Sequence, residues 1–253
     1  MNLLFVTSRF PYPPLKGDKI RAYYPIKLLS KKHRIDLLSF SEERVAPHDL
    51  HQMEQYCRRI EVVNLNNVVF HAKLVFGILT PCPSQVFCYK SSRMRKIIRK
   101  YLHTDCYDLV HIVCGRLAEY TKCVGKVPKV IDWIDALSLS TKRMYTTEDF
   151  WPKKLLYYLE WNKMRRYERK NLSASDFAFV TSQVDKTYLG DNSVQVIPNG
   201  VDTDMYHPSG EEKDIDLIFT GNMGYFVNIQ AVQFFCEKIF PLVLQERPQT
   251  TFF

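Results

Sequence analysis

Charged side chains in this sequence gather just after short apolar runs, and that spacing carries its first chemical signal. The run Asn2 to Thr7 is followed by Ser8-Arg9-Phe10-Pro11-Tyr12-Pro13-Pro14-Leu15-Lys16-Gly17-Asp18, a proline-stiffened loop that delivers Gly17 and Asp18 to the start of a helix. Gly17 lets a ligand approach the backbone, Asp18 can cap the helix, and the next amides, with Lys19 and Arg21, suit an anion such as a phosphate. A plain turn with a plain N-cap accounts for the same residues equally well. The dinucleotide fingerprint G-x-G-x-x-G and the phosphate loop G-x-x-x-x-G-K are both absent.

Two later runs end in the same way. Asp108 to Val113 leads into Cys114-Gly115-Arg116, where Arg116 is placed to hold an anion through both arms of its guanidinium. His111 lies inside that run and reads as a buried, hydrogen-bonded core histidine before it reads as a catalyst. Lys129 to Asp132 continues into Trp133-Ile134-Asp135, so two carboxylates stand three residues apart. They could orient sugar hydroxyls, or Asp135 could cap the helix that holds Leu137 and Leu139. No carboxylate pair reads as the acid and base of a hydrolase.

These groups need a scaffold that brings strand ends together. Apolar, β-branched runs predict strands at Asn2 to Thr7, Ile35 to Phe40, Glu61 to Val63, Leu109 to Val113, Lys129 to Asp132, Phe177 to Thr181 and Val194 to Ile197. Helical periodicity predicts helices over Asp18 to Ser30, Pro47 to Arg59, Arg93 to Leu102, Leu117 to Cys123, Lys153 to Leu172 and Gln183 to Leu189. The stretch Asn66 to Pro83 reads as a helical insertion interrupted by Gly77, Pro81 and Pro83. Strands alternating with helices predict an α/β, Rossmann-like, doubly wound parallel sheet, whose ligands gather at the carboxyl ends of the strands. We expect a first domain over 1–200, a linker over 201–213 containing Ser209 to Lys213, and the start of a second domain, incomplete, over 214–253.

Composition narrows the partners. The net charge is +8, which favours anionic partners, though a basic soluble surface explains it as well. The helices over Arg93 to Lys100 and Lys153 to Lys170 are rich in Lys and Arg. They read as solvated faces, or as peripheral contacts with an anionic bilayer worth about 1 kcal/mol per basic residue. No uninterrupted apolar run approaches a membrane span, so any membrane contact is expected to be peripheral. The start at Leu3 to Val6 is too short for a signal-peptide core. Seven cysteines without a C-x-x-C pair point to no disulfide framework or zinc ribbon and to a reducing cytoplasm. Nucleic acid is not an expected partner, because no reader motif accompanies the charge.

Taken together, Arg9-x-Pro11-Tyr12-Pro13-Pro14-x-x-Gly17-Asp18-x-x-Arg21, Arg116 to Tyr120, Asp132-x-x-Asp135-Ala136-x-Ser138, Ile197-Pro198-Asn199-Gly200-Val201-Asp202 and Phe219 to Met223 resemble the family 4 glycosyltransferases. The likeness is greatest to the bacterial exopolysaccharide-associated sugar transferases and spans essentially the whole chain. It implies the GT-B fold, two Rossmann-like domains facing across a cleft. It also implies retaining, metal-free hexosyl transfer from a nucleotide-sugar co-substrate, without a further cofactor, to a glycan or lipid-linked acceptor. By the same resemblance Arg9, Gly17, Gly221 and Asn222 lie on the donor side, and Arg116, Asp132 and Asp135 on the acceptor side. Asn199 and Gly200 would form the interdomain connection.

The resemblance assigns no catalytic residue, since the histidine of many relatives near the end of the fourth strand has no clean match at Val113. Tyr225-Phe226-Val227-Asn228 also departs from the family's Tyr-x-Pro-Asn, losing the proline that presets a helix start. The basic residue and glutamates that hold the donor in relatives would lie past Phe253. The chain by itself is therefore expected to be inactive, and residues 214–253 to be too few to bury a core. The alternative is a non-catalytic module that binds a glycan or lipid head group on the first domain.

Overall fold

The computed structural model describes residues 1–208, 210, 214–224 and 226–253. Ser209 and Glu211 to Lys213 of the expected linker, and Tyr225, lie outside the described residues. Two compact units result, Met1–Gly200 and Val201–Phe253.

The first unit is built on seven parallel strands: β1 (Asn2–Thr7), β2 (Arg34–Ser41), β3 (Arg59–Asn64), β4 (Leu109–Val113), β5 (Lys129–Ile134), β6 (Phe177–Val180) and β7 (Val194–Val196). Their order across the sheet is β3-β2-β1-β4-β5-β6-β7. The order reverses between β1 and β4, which opens a crevice at their carboxyl ends. β1 is central because both of its faces are apolar: Leu3 and Phe5 enter one core, Leu4 and Val6 the other. Helices α1 (Gly17–Leu29) and α2 (Pro47–Glu54) cover the first face through Ala22, Tyr23, Ile26 and Met53. The opposite core takes Cys88 from α4 (Ser84–Cys88), Met94 and Ile98 from α5 (Ser92–Thr104), and Leu172 from α7 (Trp151–Leu172). Helices α3 (Asn67–Ile78), α6 (Leu137–Thr147) and α8 (Gln183–Leu189) complete the layer order.

Three expectations are revised, each for a local reason. Helix α2 stops at Glu54 rather than Arg59, because buried Asp36 draws Arg58 and Arg59 to the edge of the sheet with bonds of 2.7 and 2.6 Å. The helix expected at Leu117 to Cys123 is a 3-10 helix over Gly115–Cys123. There the Tyr167 hydroxyl accepts the Glu119 N–H at 3.1 Å and lies 3.3 Å from the Gly115 carbonyl, the two groups that an α turn would have joined. Gly77 does not break α3; a Cβ there would lie 2.8 Å from the Ser84 backbone, so glycine is what lets α4 pack against it.

In the second unit, residues 217–219 pair in parallel with 251–253. Asp216 accepts both the amide and the hydroxyl of Thr251, at 2.9 and 3.1 Å. Between them run α9 (Phe226–Phe234), a π turn (Phe235–Ile239) and α10 (Phe240–Glu246). Pro241 has no N–H to give Glu237, which accounts for the widened turn. The 20 residues Val227–Glu246 are long and apolar enough by length and composition to cross a bilayer, and none of that window is buried. Glu237 and Lys238 interrupt that window, so it is not an uninterrupted apolar run, and core helices of soluble domains share its character.

Candidate functional site

The crevice at the switch point holds a cavity of about 370 Å³. Arg9, two residues past the end of β1, and Arg116, three residues past the end of β4, both line it. Opposite them stand Asn67, Phe70 and Leu74 of α3, with Gln85 of α4 and Tyr89. The two guanidiniums are held very differently. Arg9 gives Nη1 to Asp18 at 2.9 Å and Nε to Glu42 at 3.1 Å, so its charge is already balanced. Burial pulls its pKa down, and Asp18 and Glu42 more than offset that. Among the described residues the Arg116 guanidinium has one hydrogen bond, from Nε to the neutral Gln85 at 3.2 Å, and no carboxylate within ion-pair distance. Burial opposes its charge, Cys114 and Tyr89 favour it, and the net shift is upward, so the group stays cationic. A cation enclosed with only a neutral partner is a receptor for an anion.

The local chain explains where Arg116 points. Cys114 adopts φ 86°, a region costly for any residue with a Cβ. Gly115 follows with its Cα against the Trp133 ring, where a Cβ would come within 2.2 Å. The chain must therefore turn sharply as it leaves β4, and Arg116 is the first side chain after the turn.

Asp132 and Asp135 end up in different places. Asp132 is buried and takes Arg21 Nε at 2.6 Å and the Ile134 amide at 3.0 Å. Burial pushes its pKa up and Arg21 pulls it back. Arg21 reaches on to the Pro198 carbonyl at 3.1 Å and Asn199 Oδ1 at 3.4 Å, tying the Pro-Asn-Gly turn to the end of β5. Asp135 is exposed at the edge and accepts only Thr181 Oγ1, at 3.1 Å, among the described residues. Desolvation raises its pKa and the Thr181 hydroxyl opposes the rise. It does not cap α6. Asp185 takes the Ala136 amide at 3.0 Å and buried Glu168 takes that of Ser138 at 2.9 Å, which leaves Asp135 free for a ligand hydroxyl.

Gly17 opens α1, with Lys16 as the capping position, so Asp18 sits inside the first turn and pairs with Arg9 instead of capping. Nothing lies within 4 Å of a Cβ built on Gly17, so the space over it is open. His111 faces Phe5 with ring centroids 4.8 Å apart, and its Nε2 is buried without a partner. Burial, helped by Arg21, lowers its pKa to about 4, so it is a neutral core residue and not hydrogen-bonded through Nε2 as expected. In the second unit, Gly221 has no room for a Cβ, with Phe219 2.8 Å away. Asn222 accepts the Gly224 amide at 2.8 Å through its side chain and Asn228 at 3.0 Å through its carbonyl. Sequence reasoning did not find Gln85, Asn67, Tyr89 or Glu42, which come from α4, the start of α3, the residue after α4 and the β2 exit. It had no local signal for them, because only the tertiary fold carries them to Arg116.

No protein-family model matches the chain. It is 22% identical over 258 residues to an uncharacterized 44.6 kDa protein in the cps region of Klebsiella pneumoniae, covering 98% of this chain and 62% of that protein. Its structure is similar to that of Phytolacca americana UGT2 complexed with UDP-2fluoro-glucose and pterostilbene. The TM-score is 0.50 at 12% identity, over 91% of this chain and 62% of that one. The shared fold is that of the GT-B glycosyltransferases. Medicago truncatula UGT71G1 complexed with UDP-glucose also matches, at a TM-score of 0.48 and 9% identity, over 88% of this chain and 60% of that one. The chain thus spans about three-fifths of the length of these proteins.

Proposed function

We propose that this chain belongs to a retaining glycosyltransferase that moves a hexose from a nucleotide-sugar to a glycan or lipid-linked acceptor during surface polysaccharide synthesis, at the cytoplasmic side of a membrane. The observation that carries it is Arg116, a cation that has no carboxylate partner among the described residues, in a cavity at the switch point of this fold. The shared fold supports nucleotide-sugar chemistry, since UGT2 was solved with a UDP-sugar. The cps-region relative supports a polysaccharide setting.

In this reading Arg116 receives the anionic group of the acceptor, a phosphate or a carboxylate, and Asp135 orients a hydroxyl. Asp132 acts through Arg21, holding the Pro198–Asn199 turn in place. Arg9 and the open backbone at Gly17 face the donor diphosphate, whose departing charge fixed guanidiniums stabilise without a metal. That the cavity lies wholly within Met1–Gly200 also favours a second reading, a head-group-binding module without catalysis.

Titration calorimetry with farnesyl phosphate and with UDP-glucose tests both. We expect Arg116→Ala to weaken farnesyl phosphate binding about 10- to 100-fold, the loss of a charge-assisted hydrogen bond. Unchanged affinity would remove Arg116 from the site. Phosphate binding without any UDP-glucose affinity would favour the binding module.

A further inference from the structure

We infer that α3 and the start of α7 form a docking face for a bilayer rich in anionic phospholipid. The outward side of α3 is apolar where a surface helix is normally polar. Val68, Ala72, Val75, Phe76 and Leu79 recur at helical spacing along it. Val68, Val75, Phe76 and Leu79 are 79%, 64%, 63% and 84% exposed. The helix is not misaligned, because its inward side is fully used. Phe70 packs on the core, Gly77 on Ser84, and Lys73 gives its ammonium to the Lys90 carbonyl at 2.8 Å.

A second apolar stripe lies on a helix bolted to the first. Lys163 of α7 donates to the Gly77 and Ile78 carbonyls at 3.2 and 2.7 Å, and Glu160 accepts the Ser84 amide at 2.7 Å. Ahead of that junction, Trp151, Leu155 and Leu159 repeat every fourth residue and are exposed, as is Phe150. The junction fixes the two helices to each other, and each carries an exposed apolar stripe with an aromatic residue, Phe76 on α3 and Trp151 on α7, the composition that seats at a lipid interface.

Charge selects the occupant. Lys153, paired with Glu148 at 2.7 Å, and Lys154 follow Trp151, and α7 continues with Arg165, Arg166, Arg169 and Lys170, while its two acids are engaged, Glu160 with Lys163 and Glu168 with Ser138. Helix α5 carries Arg93, Arg95, Lys96, Arg99 and Lys100 and no acid. Apolar stripes accompanied by cations complement an anionic lipid surface rather than a second copy of the same cationic face. Because Asn67, Phe70 and Leu74 on the other side of α3 line the Arg116 cavity, docking would bring that cavity to the bilayer. The inference stands on α3 and α7 whatever the cavity binds.

Vesicle co-sedimentation of the whole chain tests it. The chain should pellet with phosphatidylcholine vesicles containing phosphatidylglycerol and much less with phosphatidylcholine alone. The paired substitution Phe76→Ser and Leu79→Ser, both at exposed positions, should weaken binding about tenfold or more, with circular dichroism unchanged. Trp151→Ser, on the other helix, should also weaken it. Equal binding by the variants, or equal binding to both vesicle types, would overturn the inference. So would a dimer that the same substitutions dissolve without any vesicle binding, which would mean that the stripe pairs copies of the chain.

Discussion

At the scale of residues, the site depends on side chains that are missing as much as on those present. Gly115 has the Trp133 ring where its Cβ would be, and the Cys114 turn before it is already strained. We therefore expect Gly115→Ala to cost about 2–3 kcal/mol, read by urea unfolding, and to displace Arg116. Stability equal to the parent would show that the turn can relax. That Arg9, Arg116 and Asp135 stand just past strand ends was legible in the sequence because each follows an apolar run by one to a few residues, and Gly17 was legible as the opening of α1 after the proline loop; strand ends are where such a sheet presents its ligands. Arg21 was legible only as a basic residue near a helix start. Its partner Asp132 lies 111 positions away, and no local pattern joins the two. For the same reason Asp132 read as a ligand group when it is a buried counter-ion.

Among the elements, the β2–β3 edge shows what local periodicity misses. Asp36, 1% exposed, accepts Arg58, Arg59 and the Tyr107 hydroxyl. The apolar spacing before Arg59 suggests a longer helix, but a buried carboxylate that needs cations overrides it. Burial alone would raise the Asp36 pKa, and its three partners instead hold it at about 2, against 3.8 ordinarily. A carboxylate depressed in the folded state stabilises the fold above its unfolded pKa and loses that contribution as pH falls through the folded one. Asp36 should thus contribute about 2 kcal/mol that disappears on acidification below pH 3.8 towards 2. His111, lowered from 6.5 to about 4, works in the same direction over that higher window, because the fold holds it neutral. Urea unfolding at a series of pH values should show stability declining below pH 6.5, with the final fall flattened in Asp36→Asn. A profile level down to pH 3 would contradict both assignments.

For the whole molecule, the α/β class and the seven parallel strands followed from alternating strand and helix signals, because a chain with that alternation has few ways to bury both faces of a sheet, whereas the strand order and its reversal beside β1 came only from the structure. The cavity did not follow, since its far wall comes from α3 and α4, whose apolar residues gave no sign of which side would face inward. In the reading proposed above, the enclosed cation at the switch point and the exposed apolar helix beside it receive an acceptor that joins an anionic head to a lipid. Amide chemical-shift mapping of the isotope-labelled chain, titrated with farnesyl phosphate, tests that most directly. Shifts centred on Asn67, Phe70, Gln85, Tyr89 and Arg116, lost in Arg116→Ala, are the expected result; shifts confined to the amino ends of the strands, or none at all, would contradict it.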